Sequence, residues 1–240
     1  APPSGPIDTG HRSVGAAVEG RAFFYGSAGQ SFGAWCVDGA ELELEGEAND
    51  YVGKGMSGGL LSIRPFAGDG ARDPVLAGNT CLYGATGGRV FIAGRAGERF
   101  CVRNSGAVAV VEGAGDHFCE YMTGGVAVSL GGVGRNAGAG MTGGVAYLLE
   151  WVQLHPTSVV ARPLAAQDAR LLREILEEHL ARTGSPRAAE LLADWAGAAD
   201  RFRLIVPAEQ TVPQAATAPV PAAARPPDGV EAKAALRARS

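Results

Sequence analysis

The sequence contains few of the residues that build disulfide frameworks, metal centres and membrane spans. Its 240 residues include four cysteines, four histidines and three methionines, and it has no Cys-x-x-Cys pair. No apolar run approaches the roughly 18 residues that a membrane-spanning helix needs. Four scattered cysteines fit a reduced cytosol better than a disulfide scaffold. We therefore expect a soluble, cytoplasmic protein with no metal site.

The chain also lacks a large excess of one charge. Its 21 basic and 25 acidic residues are mixed along the sequence and give a net charge of −4. This balance gives no electrostatic reason to expect nucleic acid or an anionic membrane as a partner. The N-terminus lacks a charged region followed by an apolar one. The missing initiator Met suggests a fragment or a processed product.

Glycine, by contrast, is abundant and periodic, with 36 residues in all. Glycines that precede short apolar runs recur every 19 residues, at Gly20, Gly39 and Gly58 and again at Gly87, Gly106, Gly125 and Gly144. A second series with the same step contains Gly94, Gly113 and Gly132. The step from Gly58 to Gly87 is 29, and its surplus falls in the Gly/Asp/Pro stretch 65–74, which we interpret as an inserted loop.

This period predicts an all-β fold, a single-stranded parallel β-helix with about seven coils over residues 13–150. Helical repeats need longer units, of roughly 34 to 47 residues. The runs are also too short and too rich in Val, Phe, Tyr and Ile for helices. Each coil would pair with the next at about 4.8 Å. We expect Gly125 at a corner that requires positive φ or space for the next coil, whereas Gly70 lies in the inserted loop.

The remaining segments read differently from the solenoid. Residues 1–10 and 207–240 are predicted to be disordered, 11–164 to form the β-helix and 165–206 a helical cap of two short α-helices. The first helix would begin near Asp168 and end at Gly184, and the second would open at Ser185. A strand near Ser158 would close one end of the solenoid. The helices would cover an end or a flank.

Two segments match Gly-x-Gly-x-x-Gly, at Gly53, Gly55 and Gly58 and at Gly138, Gly140 and Gly143. A dinucleotide fingerprint must open a helix, whereas each of these precedes a β-run. We interpret them as corner glycines. Lys54 does not complete a phosphate-binding loop either.

The densest polar cluster contains Asp116, His117, Cys119 and Glu120. A nucleophile or a metal corner was weighed here, but His117 and Cys119 share a strand parity and lack further ligands at suitable spacing. His179 is predicted to be a packed, hydrogen-bonded histidine, and Cys81 and Cys119 to be interior thiols. A polar outer face would contain Arg95, Arg99, Arg103 and Asn104. We therefore predict no catalytic, cofactor-binding or metal-binding residue.

Several long strings resemble one family, the C-terminal GXGXG domain of the glutamate synthase large subunit. The most specific are Gly53-Lys-Gly-Met-Ser-Gly-Gly59, Val111-Glu-Gly-Ala-Gly-Asp116, Glu120-Tyr-Met-Thr-Gly-Gly125 and Gly138-Ala-Gly-Met-Thr-Gly-Gly144. The resemblance covers about residues 11–207. Relative to the family pattern, about one coil is missing before Gly26, and a loop near Trp151 is shorter.

The resemblance implies a right-handed β-helix that acts as a non-catalytic scaffold of glutamate synthase, which makes glutamate from glutamine and 2-oxoglutarate. Its partners would be an amidotransferase domain and an FMN-binding synthase domain with an iron–sulfur cluster, with a small NADPH-oxidising subunit as a further candidate. No cofactor would bind this chain. The alternative is a free-standing GXGXG subunit of another amidotransferase-linked or formylmethanofuran dehydrogenase-like complex.

Overall fold

A computed structural model describes residues 20–68, 73–149 and 153–208 of the chain. In chain order its elements are β1 (Gly20–Ser27), β2 (Ala40–Glu47), β3 (Ser57–Arg64), β4 (Val75–Ala77), β5 (Gly87–Ile92), β6 (Arg95–Ala96), β7 (Ser105–Val111), β8 (Thr123–Ser129), β9 (Gly143–Leu148), β10 (Val159–Arg162), α1 (Ala166–Thr183), α2 (Pro186–Ala193), α3 (Trp195–Arg201) and β11 (Arg203–Pro207). Predictions for residues 1–10, for Gly70, for Trp151 and for the tail beyond 208 lie outside the described residues.

Seven strands stack as parallel neighbours, one from each coil, in the order β1-β2-β3-β5-β7-β8-β9. Val90 pairs with Ala109, Ala109 with Ala127, and Ala127 with Ala146. These partners are 19, 18 and 19 residues apart. The predicted parallel β-solenoid of about seven turns and about 19 residues per turn is therefore confirmed.

The glycine step is regular in sequence but not in space. A Cβ on Gly106 would lie 2.1 Å from a carbonyl oxygen of the previous coil, and the glycine with the matching contact one coil later is Gly124, at 2.2 Å. Gly125 instead has a φ of +82° and matches Gly144, at +77°. Because the strand register shifts between coils, the predicted single glycine column is wrong: it runs through two different positions.

The longer step lies between β3 and β5, where Leu61 pairs with Val90, 29 residues further on. The surplus contains β4, which pairs with β6 in a separate two-stranded sheet. The insertion is thus where the sequence predicted it, although part of it is a strand.

The C-terminal end of the sheet is closed by two antiparallel strands. β11 pairs with β9, and β10 pairs with β11 as the outermost strand. The sequence predicted the strand near Ser158 but missed β11, which falls inside the expected helical cap. Because an unpaired β9 would expose its backbone groups, this return strand satisfies the last coil.

The sheet separates two hydrophobic cores. One fills the solenoid interior, and the other lies between the outer sheet face and the helices. Phe91, Val110, Val128 and Tyr147 form a column on that outer face, each paired with the next across neighbouring strands. The α1 side chains Leu172 and Leu176 are fully buried in the same cluster. The helices therefore cover a flank, one of the two predicted positions.

Three helices follow the solenoid, where the sequence predicted two. α1 begins earlier than expected, so Asp168 is its third residue, and its carboxylate accepts a hydrogen bond from the Ala165 backbone at 3.1 Å. Gly184, at φ +68°, ends α1, and Ser185 caps α2 by accepting from the Ala188 backbone. Trp195 opens the separate helix α3.

Candidate functional site

Each of six successive coils contains a five-residue turn in which the first, third and fifth residues have the left-handed backbone conformation. Their φ angles lie between +53° and +75°. We call these segments the left-handed turns. They are Ser31-Gly33-Trp35, Tyr51-Gly53-Gly55, Thr80-Leu82-Gly84, Arg99-Cys101-Arg103, His117-Cys119-Tyr121 and Asn136-Gly138-Gly140. Since this conformation costs a non-glycine residue roughly 1–2 kcal/mol, contacts between stacked turns must offset that cost.

Backbone hydrogen bonds hold the turns together in both directions along the solenoid. Ser31 and Trp35 donate to the next turn, to the carbonyls of Asp50 and Lys54 at 2.8 and 2.9 Å. The middle residue of that next turn, Gly53, donates back to the carbonyl of Phe32 at 2.9 Å. The alternating conformation points successive amides up and down, so each inner turn is bonded to both of its neighbours.

The same geometry sorts the side chains. The second and third residues of a turn point into the core, as Phe100, Cys101 and Phe118 do, and the rings of Phe100 and Phe118 stack with centroids 5.8 Å apart. The first and fifth residues point outward, as Arg99 and Arg103 do. Each turn thus contributes two positions to the core and two to the surface.

The two Gly-x-Gly-x-x-Gly segments are corner glycines, as predicted. Gly53, Gly55, Gly138 and Gly140 all have positive φ within left-handed turns. Gly143 starts a strand, and a Cβ there would lie 2.1 Å from a carbonyl oxygen of the previous coil. Both segments lead into strands rather than helices, so neither presents a helix N-terminus to a phosphate.

The Asp116–Glu120 cluster is divided between surface and core. Asp116 accepts hydrogen bonds from the backbone and the guanidinium of Arg135, and these lower the pKa of the Asp116 carboxyl. His117 faces Glu120, with Nδ1 3.6 Å from the carboxylate. Cys119 points into the core and is 1% exposed. The predicted shared parity of His117 and Cys119 is wrong, because the segment is a left-handed turn and not a strand.

All four cysteines are free and buried, which confirms Cys81 and Cys119 as interior thiols. Burial raises the pKa of Cys81 to about 12 and that of Cys101 well above its ordinary value. Cys101 and Cys119 are the middle residues of adjacent turns, whereas the middle residue of the preceding turn is Leu82. These thiols are therefore poor nucleophiles, because the thiolate is the reactive form.

The predicted polar outer face is only partly present. Arg99 and Arg103 are exposed on the turns, but Asn104 is fully buried. Its side chain donates to the Ala107 carbonyl at 2.9 Å and accepts from the Ala107 amide at 3.0 Å. Asn104 therefore holds the start of β7 in place. Arg95 is half-buried in β6.

A buried polar cluster that the sequence did not predict joins the helices to the solenoid. Glu112 follows β7, is 8% exposed, and accepts a short hydrogen bond from the hydroxyl of Ser185, the cap of α2. Arg187 donates to the Glu112 carbonyl at 2.9 Å and pairs with Asp73. The only sequence signal is a carboxylate directly after the apolar run of β7.

His179 lies beside this cluster and is fully buried. Its ring packs against Phe91, with centroids 5.9 Å apart, and its Nε2 lies 3.5 Å from the Glu112 carboxylate. Neither ring nitrogen makes a hydrogen bond within the described part of the chain. The packed position is as predicted, but the predicted hydrogen bond is not present. We interpret Glu112, Ser185 and His179 as an anchor between helices and sheet.

Two searches of the described ranges bear on other kinds of site. Over residues 20–68, 73–149 and 153–208, no three or more His, Cys, Asp or Glu side chains are grouped so that they could hold a metal ion. None of the helices found there has the length and hydropathy to cross a membrane. The expectation that this chain binds no cofactor stays a prediction.

A glycine-cornered parallel solenoid with a flanking helical cap defines the class of this chain. The family model described as "GXGXG motif" matches residues 7–208, and the chain belongs to this family.

Its relatives are large enzymes. The chain is similar to ferredoxin-dependent glutamate synthase 2 of Synechocystis sp., with 52% identity over 201 residues, which is 80% of this chain and 13% of that protein. It is 47% identical to the chloroplastic ferredoxin-dependent glutamate synthase of Spinacia oleracea, over 88% of this chain and 14% of the relative. Glutamate synthase [NADH] of Schizosaccharomyces pombe is 47% identical over 79% of this chain and 9% of that protein. The chain thus matches one piece of a multidomain enzyme.

Proposed function

We propose that this chain is the β-solenoid domain of a glutamate synthase and that it acts as a scaffold rather than as a catalytic domain. The observation that carries the proposal is the match to ferredoxin-dependent glutamate synthase 2, at 52% identity over 201 residues. The relatives named above are all glutamate synthases, so the alternative of a subunit serving another complex is not favoured.

The contacts of the polar side chains support a scaffold role. Glu112 is held by Ser185 and by its own backbone contact with Arg187, which together fix the helical cap. Asp116 is held by Arg135. A general acid or base must reach a substrate atom, whereas each of these carboxylates is already bound to a neighbouring structural element.

The same proposal assigns the chemistry to other domains. An amidotransferase domain would release ammonia from glutamine, and a synthase domain with FMN and an iron–sulfur cluster would add it to 2-oxoglutarate. A small NADPH-oxidising subunit is a further candidate partner, and the cytoplasm is the proposed location. The rigid solenoid, bonded from coil to coil, would hold such domains at a fixed separation.

A chimera tests this function. In the Synechocystis enzyme, the segment that matches this chain is replaced by residues 20–208, and glutamate formation from glutamine and 2-oxoglutarate with reduced ferredoxin is measured. We expect the chimera to be active and the isolated chain to be inactive and free of flavin. Flavin bound to the isolated chain, or turnover by it, would overturn the proposal, as would an inactive chimera that folds.

A second measurement separates scaffold from catalysis. Replacing His117 by Ala together with Glu120 by Gln removes the densest polar cluster and should leave kcat within about twofold, as a surface change far from the chemistry does. Loss of a general acid or base typically lowers the rate by about 100-fold or more. A loss of that size with unchanged thermal stability would show that the cluster is catalytic.

A further inference from the structure

The outward positions of the left-handed turns form one continuous surface of aromatic and basic side chains. It contains Trp35, Tyr51, Lys54, Tyr83, Arg103 and Tyr121, and we call it the aromatic face. Trp35 is 70% exposed and Tyr121 54%. Because neighbouring coils are about 4.8 Å apart, the five coils that carry these residues span about 20 Å along the solenoid.

The aromatic rings have defined positions on the neighbouring coils. A Cβ on Gly55 would lie 2.4 Å from the Trp35 ring, and one on Gly140 would lie 2.5 Å from the Tyr121 ring. Each ring therefore covers a glycine of the next turn. Rings held in this way lose little conformational freedom when a partner covers them, which favours binding.

The two basic residues of the aromatic face lack acidic partners. The ammonium of Lys54 lies 5.0 Å from the Tyr51 ring centroid, and the guanidinium of Arg103 lies 6.0 Å from that of Tyr121. Neither makes an ion pair with any residue in the described ranges, whereas Arg99 on the same surface pairs with Glu120 at 3.8 Å. Lys54 and Arg103 thus place unneutralised positive charge beside exposed rings.

We propose that the aromatic face is the docking surface for the remaining domains of the same glutamate synthase polypeptide, through a surface that carries carboxylates opposite Lys54 and Arg103. This inference rests on the proposed function. Trp, Tyr and Arg are the residues that dominate binding energy in protein interfaces. The matching segment is 13% of the Synechocystis enzyme, so 87% of that protein lies outside it and must be joined to it.

The charges select a carboxylate-bearing protein surface as the occupant. Truncating one partner of a close interfacial charge pair typically costs about 2–5 kcal/mol, so charge reversal at both basic positions should release a docked domain. The outer sheet face offers no comparable surface, because α1 already covers it.

Docking can be measured by thiol footprinting in the active chimera described above. The native cysteines are buried, so an introduced cysteine is the accessible thiol of this segment. Maleimide labelling of an Arg103→Cys variant, followed site by site with mass spectrometry, should be at least about tenfold slower in the chimera than in the isolated chain, as expected for a buried interface. Arg173→Cys, on α1, is the matched control and should be labelled at similar rates in both.

Charge reversal gives the second arm. With a protease site at each junction, the solenoid should remain bound to the rest of the chimera after cleavage and co-elute with it. Lys54→Glu with Arg103→Glu should release it, whereas Arg162→Glu with Arg173→Glu should not.

The outcomes separate the two proposals. An inactive chimera with the unaltered segment refutes the proposed function. An active chimera in which Arg103→Cys is labelled as fast as in the isolated chain refutes the docking surface alone. Co-elution of the Lys54→Glu/Arg103→Glu form, or release of the unaltered segment on cleavage, refutes it as well.

Discussion

Replacing Gly125 by alanine tests whether stacking between coils, and not only backbone conformation, demands glycine. Gly125 has a φ of +82°, and an added Cβ would lie 2.4 Å from the carbonyl oxygen of Ala107 in the previous coil. Gly84 is the matched control, because its φ is +64° and no atom lies within 4 Å of the added Cβ. The two positions therefore share the conformational cost and differ in the steric one.

The magnitudes follow from these contacts. The left-handed conformation should cost an alanine about 1 kcal/mol at either position. At Gly125 the oxygen must also move by about 1 Å to reach an ordinary contact of 3.4 Å, and overpacking of this kind costs about 1–3 kcal/mol. The displaced oxygen accepts from Asn104 at 2.9 Å, and weakening a buried hydrogen bond adds about 1 kcal/mol. We expect about 3–5 kcal/mol for Gly125→Ala and about 1 kcal/mol for Gly84→Ala.

Urea unfolding of both variants gives the two losses directly, and hydrogen exchange locates them. In a solenoid each coil contacts only its neighbours, so amides of β7 and β9 should exchange faster before those of β1 and β2. Equal free-energy losses at the two positions, within about 0.5 kcal/mol, would refute the role assigned to coil stacking.

Three further predictions concern strain, the helix anchor and pH. Thr80 is β-branched at φ +61°, so Thr80→Gly should raise the free energy of unfolding by about 1 kcal/mol, whereas Thr123→Gly in β8 should lower it; a loss in both would contradict the assigned strain. Ser185→Ala removes the bond to buried Glu112 and the cap of α2, and should cost about 2–4 kcal/mol in urea unfolding, against about 1 for the exposed cap Asp194→Ala; similar costs would contradict the anchor. Burial raises the pKa of Cys81 from 9.0 to about 12, so the folded chain holds this proton more tightly, and the stability it contributes is complete below pH 9 and lost as pH rises towards 12. The fall should be shallower in Cys81→Ala, and an unchanged slope would contradict it.

The coil period was predictable because it is a property of length. Each coil must return to the same strand position, and the partners Val90, Ala109, Ala127 and Ala146 show that it does so every 18 or 19 residues. Small apolar residues recur at that interval whatever the corner looks like. The strand column and the flanking helices could therefore be inferred from the sequence.

The left-handed turns could not be inferred in full, because residue type does not reveal them. In the fourth and fifth turns all three left-handed residues are non-glycine, for example Arg99, Cys101 and Arg103. Glycine marks this conformation only where it is cheap. Here hydrogen bonds to the turns above and below impose it, and those partners lie 18 to 29 residues away in sequence.

Glu112 and β11 escaped prediction for a related reason. A single carboxylate after an apolar run reads as a surface residue, and only the return of α2 brings the Ser185 hydroxyl to it. The five residues of β11 are equally consistent with a helix or a strand when read alone. Their strand conformation is set by the unpaired edge of β9, a feature of the assembled sheet.

The same reasoning explains why the glycines of the turns are distributed as they are. Gly55 and Gly140 are the fifth residues of turns that follow a turn ending in an aromatic residue, and the rings of Trp35 and Tyr121 lie over them. A side chain at either glycine would occupy the space of the ring. Arg103, by contrast, is followed by Tyr121, and the guanidinium lies over that ring. The Gly-x-Gly spelling of the second and sixth turns is therefore linked to the aromatic face: the backbone tolerates other residues at these positions, and the rings of the preceding turn do not.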